Sequence, residues 1–94
     1  MKIRPDEVEL RGEWRTVAGT VEADETCRRI EALTSTVLHE MARDSSGWDA
    51  LYVDPEDGRY WELIYASSEE HAGGPPILTC ISKQEASEKY GVGE

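Results

Sequence analysis

An α+β fold is expected of this chain: a small antiparallel sheet with one long helix packed on one face and a short C-terminal helix, in the order β-β-α-β-β-β-α. Three observations predict it. Cys27, Ile30, Leu33, Val37, Leu38 and Met41 recur at steps of three and four, which makes one apolar stripe on a helix. Short alternating segments rich in Val, Ile, Trp and Tyr lie on either side, separated by turn residues. Ser82-Lys83-Gln84-Glu85 has the form of a capping box near the end of the chain. Ninety-four residues fit a single domain, residues 1–94, with one modest core.

Residues 1–11 are polar and end in an extended segment. Glu13 to Val17 and Thr20 to Glu22 read as two strands around Ala18-Gly19, a pair suited to a tight hairpin. Asp24 then caps the long helix, with Glu25 in its first turn. The stripe carries this helix to Arg43, and Ser45-Ser46-Gly47 stops it. Trp48 to Val53 is the next strand. Asp54-Pro55-Glu56-Asp57-Gly58 is the clearest turn: proline presets φ, and Gly58 accepts a left-handed conformation before the strand Arg59 to Ala66. Ser67 to Pro76 is a loop, Ile77 to Ile81 a last strand, and a short helix runs from the capping box to Gly91.

Strand alternation assigns the faces. Asp49, Leu51 and Val53 oppose Trp48, Ala50 and Tyr52; Tyr60, Glu62 and Ile64 oppose Trp61, Leu63 and Tyr65. An unpaired carboxylate is costly to bury, so the side with Asp49 and Glu62 is expected to face solvent. The helix then covers Trp48, Trp61, Leu63 and Tyr65. Leu51, Val53, Tyr60 and Ile64 remain outside beside the acids, unless a terminal segment covers them.

Charge marks the same region. The chain is −10 overall, with a pI near 4.6. Between Asp44 and Pro75 stand Asp44, Asp49, Asp54, Glu56, Asp57, Glu62, Glu69 and Glu70, against the single base Arg59. The flanking residues are nearly balanced. Trp48, Trp61, Tyr52, Tyr60 and Tyr65 interleave with these acids, a mixture suited to binding a basic protein. Solubility alone is the plain alternative. The balance disfavours nucleic acid and anionic membrane as partners. No apolar run reaches membrane length, and the first residues are too short and polar for a signal peptide, so a cytoplasmic protein is expected.

Little in the chain suggests catalysis or a cofactor. Cys27 and Cys80 lie in apolar patterns with no histidine at ligand spacing, which favours reduced, buried thiols. The acids from Asp54 to Glu62 do not have the spacing of a calcium loop. Gly73-Gly74 lacks the strand–turn–helix context of a phosphate cradle. No serine, threonine or cysteine stands in a nucleophile motif.

Gly12 and Trp14, then Asp24, Cys27 and Ile30, then Gly47-Trp48, Leu51-Tyr52, Asp54-Pro55 and Asp57-Gly58-Arg59-Tyr60-Trp61-Glu62, and finally Ser68-Glu69, His71 and Gly73-Gly74-Pro75-Pro76 follow a pattern. In these residues the chain resembles the immunity protein 27 family of bacterial polymorphic toxin systems. Ala66 and Ala72 depart from the pattern, standing where proline and glycine are expected. The resemblance implies a compact α+β protein without catalysis, which binds and neutralises a cognate toxin domain in the cytoplasm. A nuclease-type toxin would present a basic groove for phosphates, and an acidic inhibitor can fill it. The residues expected to carry the contact are Asp49, Leu51, Asp54, Glu56, Asp57, Tyr60, Glu62, Glu69 and Glu70. Glu31, on the helix, is expected to stand apart from it. An adaptor for another basic protein, or a small hydrolase using Asp49, Glu62 and His71, are the competing readings.

Overall fold

Strand pairing and one wide helical turn decide how this chain is arranged. The structure, a computed structural model, describes residues 2–65 and 74–91. Among these residues seven strands and two helices follow one another: β1 (Glu9–Arg11), β2 (Trp14–Val17), β3 (Thr20–Ala23), α1 (Glu25–Ala32) with a last wide turn over Leu33–Val37, β4 (His39–Arg43), β5 (Ala50–Val53), β6 (Tyr60–Tyr65), β7 (Pro76–Ile81) and α2 (Lys83–Tyr90). Five strands form an antiparallel sheet in the order β1-β7-β6-β5-β4, and β2 and β3 pair only with each other. The α+β class stands, with β1 and β4 added to the expected order.

The caps form as their residues dictate. Asp24 Oδ1 accepts from the Cys27 N–H at 2.8 Å and starts α1. At α2 the Ser82 hydroxyl accepts from Glu85 N–H while the Glu85 carboxylate accepts from Ser82 N–H, both at 3.1 Å. Val17 pairs with Thr20 across Ala18 (φ 53) and Gly19 (φ 82), a two-residue turn whose twist matches the strands it joins.

The helix ends earlier than its apolar stripe suggests, and the expected extension to Arg43 is corrected. Leu38 N–H donates to Leu33 C=O at 2.8 Å, an i→i+5 bond that widens the last turn. Thr34 and Thr36 donate their hydroxyls to Ile30 and Ala32 carbonyls at 2.9 and 2.7 Å. These residues are β-branched, as is Val37, and favour leaving the helix. Leu38 turns extended, and His39–Arg43 pairs with β5 as an edge strand, bulged between Glu40 and Ala42. His39 therefore lies on a strand. Met41 is exposed.

Ile30 and Leu33 of α1, with Leu38, pack on Ala50, Tyr52, Trp61, Leu63 and Leu78 of the sheet, and Ile3 and Leu10 close the same core. Burying these side chains supplies the main driving force. Trp48 is not among them. Expected in the core, it precedes β5 and stays 54% exposed, because Asp44 gathers the loop before it. The Asp44 carboxylate accepts from Ser46 Oγ, Gly47 N–H and Asp49 N–H. Gly12 marks the passage from the main sheet to the hairpin. Its N–H donates to Pro76 C=O at 2.8 Å, and a Cβ there would come within 2.5 Å of Cys27 Sγ and 2.9 Å of that carbonyl. Only glycine allows this approach.

The N-terminal segment is held by two arginines. Arg29 of α1 makes a bidentate pair with Glu7, at 2.7 and 2.6 Å, and donates to Lys2 C=O. Arg59 donates to Glu7 C=O and Arg4 C=O at 2.7 and 3.1 Å. The hydrogen bonds from Arg29 hold the Glu7 carboxyl down at about 2.

Candidate functional site

The β5–β6 turn is built from its own acids. Asp54 is only 2% exposed, and its Oδ1 accepts from Glu56 N–H at 2.9 Å. Its backbone closes the turn, with Asp54 N–H donating to Arg59 C=O and Gly58 N–H to Asp54 C=O. Asp57 accepts from the N–H and Nε of Arg59, which lowers its carboxyl below the ordinary range. Glu56 is exposed, and its carboxylate pairs with Lys2 at 3.7 Å. Arg59 is half-buried. With Nε on Asp57, two nitrogens on the N-terminal segment and its guanidinium 5.0 Å from the Trp61 ring centroid, it is directed inward. The one base of the acidic stretch is a clamp, and Asp54 is a structural carboxylate behind the surface.

The second group of expected residues lies on the sheet face away from α1. Leu51 pairs with Glu62, and Glu62 with Thr79, so the three share that face. Helix α2 lies over it. Lys89 Nζ donates to Asp49 at 2.8 Å and to Glu62 at 2.6 Å, and Tyr90 Oη donates to the same Glu62 oxygen at 2.8 Å. Burial works against a charged Lys89, but the two carboxylates outweigh it and raise its pKa; burial and Glu62 together raise that of Tyr90. Leu51 and Ala86 are fully buried, at 0% exposure each. The open apolar patch expected at Leu51 is therefore corrected: the C-terminal segment covers it, because a small Ala86 and a long Lys89 let a helix pack on a face that contains carboxylates. Asp49 and Glu62 remain partly accessible at the edge of α2, and Tyr60 is half-buried. Lys89 brings Asp49 and Glu62 together; the Asp54–Asp57 turn stands apart, before the Tyr60 end of β6. Glu69, Glu70 and His71 lie outside the described residues.

Sequence reasoning missed the opposite end of β6. Tyr65 meets exposed Trp48 edge-on, with ring centroids 6.2 Å apart. Tyr65 also joins Trp14, Ala23, Ile30, Leu63 and Pro76 in a groove of about 270 Å³ between the hairpin and α1, with Glu31 beside it. Trp14 is 45% exposed, and every residue of β2 is exposed. A signal was present. The hairpin pairs Thr16 with Val21 and Val17 with Thr20, so both of its faces mix apolar and polar side chains. Such a ribbon has no single face to give to a core.

Among the described residues no group of three or more His, Cys, Asp or Glu can hold a metal ion. No helix among them is long and apolar enough to cross a membrane. Cys27 is buried against Glu13 C=O, and burial raises its thiol pKa, away from the reactive thiolate. The competing hydrolase reading would need two carboxylates, Asp49 and Glu62, that Lys89 already holds. No curated protein and no solved structure matches the chain. The model of one family, described as immunity protein 27, matches residues 16–82, which include the hairpin from Thr16 onward, α1 and strands β4 to β7. The chain belongs to the immunity protein 27 family, and so is an immunity protein directed against a toxin.

Proposed function

We propose that this protein binds a basic, nuclease-type toxin domain in the cytoplasm of the cell that makes both, and neutralises it without catalysis. The family match carries the reading. The net charge of −10 supports it, since a phosphate-binding groove attracts an acidic surface and a rapid, steered encounter follows. The contact is formed by Glu56 and Asp57 on the turn, Tyr60 beside them, and Asp49 and Glu62 at the edge of α2. Asp54 holds the turn in shape, and Leu51 supports the sheet from beneath. Glu69 and Glu70 extend the same acidic sequence. Tyr60 is the aromatic anchor, because tyrosine buries a large body and keeps a polar tip.

The test is co-expression with the toxin domain encoded next to this gene, followed by purification and an activity assay on nucleic acid. A stable complex that abolishes cleavage is expected, together with an association rate that falls steeply as salt rises, since screening acts over about 8 Å at physiological ionic strength. Full toxin activity in the presence of excess protein would overturn the proposal. A salt-independent rate would remove charge steering from it.

A further inference from the structure

We infer that the groove between the β2–β3 hairpin and α1 receives an arginine or lysine side chain of the toxin, with Trp14 and Tyr65 as its aromatic walls and Glu31 as its counter-charge. This rests on the reading of the partner as a basic protein domain. It adds a second contact, at the opposite end of β6 from the acidic turn.

Three observations support it. Among the described residues the hairpin has no strand partner outside itself, yet it carries Trp14, Val17 and Val21 on the surface. A two-stranded ribbon is marginal alone, and large exposed side chains on one are placed for contact with another molecule. Next, the groove has an apolar floor, Ile30, Leu63 and Pro76, that suits the aliphatic stem of a long basic side chain. Trp14 and Tyr65 line the groove, and aromatic rings attract the cationic head of such a side chain. Finally, the charge is of one sign. Among the described residues, Glu31 is the only charged one lining the groove, and it makes no ion pair there. Arg15 sits opposite Glu22, a pair offset by one residue from Trp14 and Ala23 and so on the other face of the ribbon. Arg29 is occupied by Glu7. Two other polar side chains of the lining are satisfied internally: the Thr34 hydroxyl donates to Ile30 and Glu31 carbonyls, and the Cys27 thiol to Glu13 C=O. An unpaired carboxylate beside aromatic walls in an acidic protein fits a cation and repels an anion.

The experiment measures affinity for the isolated toxin domain by calorimetry, with the full chain and its variants. Glu31→Lys should weaken binding at least ~30-fold, Glu31→Gln and Trp14→Ala about tenfold each. Melting temperatures of the two Glu31 variants should stay near wild type, because position 31 is exposed on the helix; these variants keep the test valid if Trp14→Ala disturbs the hairpin. Replacing toxin Arg and Lys residues with Glu, one at a time, should yield one toxin variant that Glu31→Lys binds better than the wild type does. Wild-type affinity in all three variants would overturn the groove while leaving the toxin partner intact. No binding by the unmodified chain would instead overturn the reading on which the groove rests.

Discussion

The two ends of β6 use the same residue types in opposite ways. At the turn end, Asp54, Asp57 and Arg59 hold one another and the N-terminal segment. Midway, Lys89 holds Asp49 and Glu62. At the Tyr65 end, Trp14 and Trp48 stay exposed, and Glu31 has no cation among the described residues. The difference teaches that charge counted along a chain is not charge presented to a partner. Much of the negative stretch is engaged in structure, whereas a carboxylate outside it stands open beside aromatic rings. Surface pairs of this kind contribute little individually, but they decide which carboxylates remain for recognition.

The sharpest way to break this contrast is at Leu51. If it lies beneath α2, Leu51→Ala should cost about 2–5 kcal/mol of stability, as for other fully buried leucines. Denaturant unfolding checks it, and an unchanged midpoint would mean that α2 does not cover the face. Glu62→Gln should act next in size. It weakens two hydrogen bonds to one carboxylate, and removing bonds to a charged group costs roughly 1.5–3 kcal/mol. Amide exchange should then show α2 opening more readily while the hairpin is unchanged. Equal effects at both places would erase the distinction between the two ends.

The smallest expected effect concerns acid. A carboxyl whose pKa is lowered by folding stabilises the fold above its unfolded value, and that contribution is lost as pH falls through the folded one. For Glu7 the window runs from 4.5 down to about 2. Melting temperature should decline across it, and Glu7→Gln should flatten part of that decline. Parallel curves for the two proteins would show that the Arg29 pair does not set it.

What was legible in the sequence was local. Asp24, Ser82 with Glu85, Ala18-Gly19 and Asp54 to Gly58 each specify a cap or turn through bonds spanning two to four residues, and each forms as read. The end of α1 was not legible, because Leu38 and Met41 continue a helical spacing while the ladder with Ala50–Val53 claims residues 39–43 for a strand. Pairing with a segment further along the chain outweighed local periodicity. The covered face was hidden for a similar reason. Nothing near Asp49 or Glu62 in sequence announces Lys89, whose reach across 40 and 27 residues makes two acids compatible with a packed helix. The groove escaped notice because Glu31, read along the helix alone, occupies an ordinary solvent-facing position. Only the hairpin folded beside it makes that position distinctive.

The first strand of the chain completes the sheet against one of the last. Glu9, Leu10 and Arg11 find their partners in Thr79, Leu78 and Ile77, and the segment before them waits for Arg29 and Arg59. During synthesis, therefore, Glu9–Arg11 dock only after Ile77–Thr79 have emerged. Closing so long a loop carries an entropic cost that grows slowly with length and is compensated only when both strands are present. Until β7 emerges, β6 has an open edge and Leu10 has no core to enter. The β2–β3 hairpin needs no such wait, since its strands pair across a two-residue turn. The sheet of this immunity protein is thus complete only once β7 has been translated.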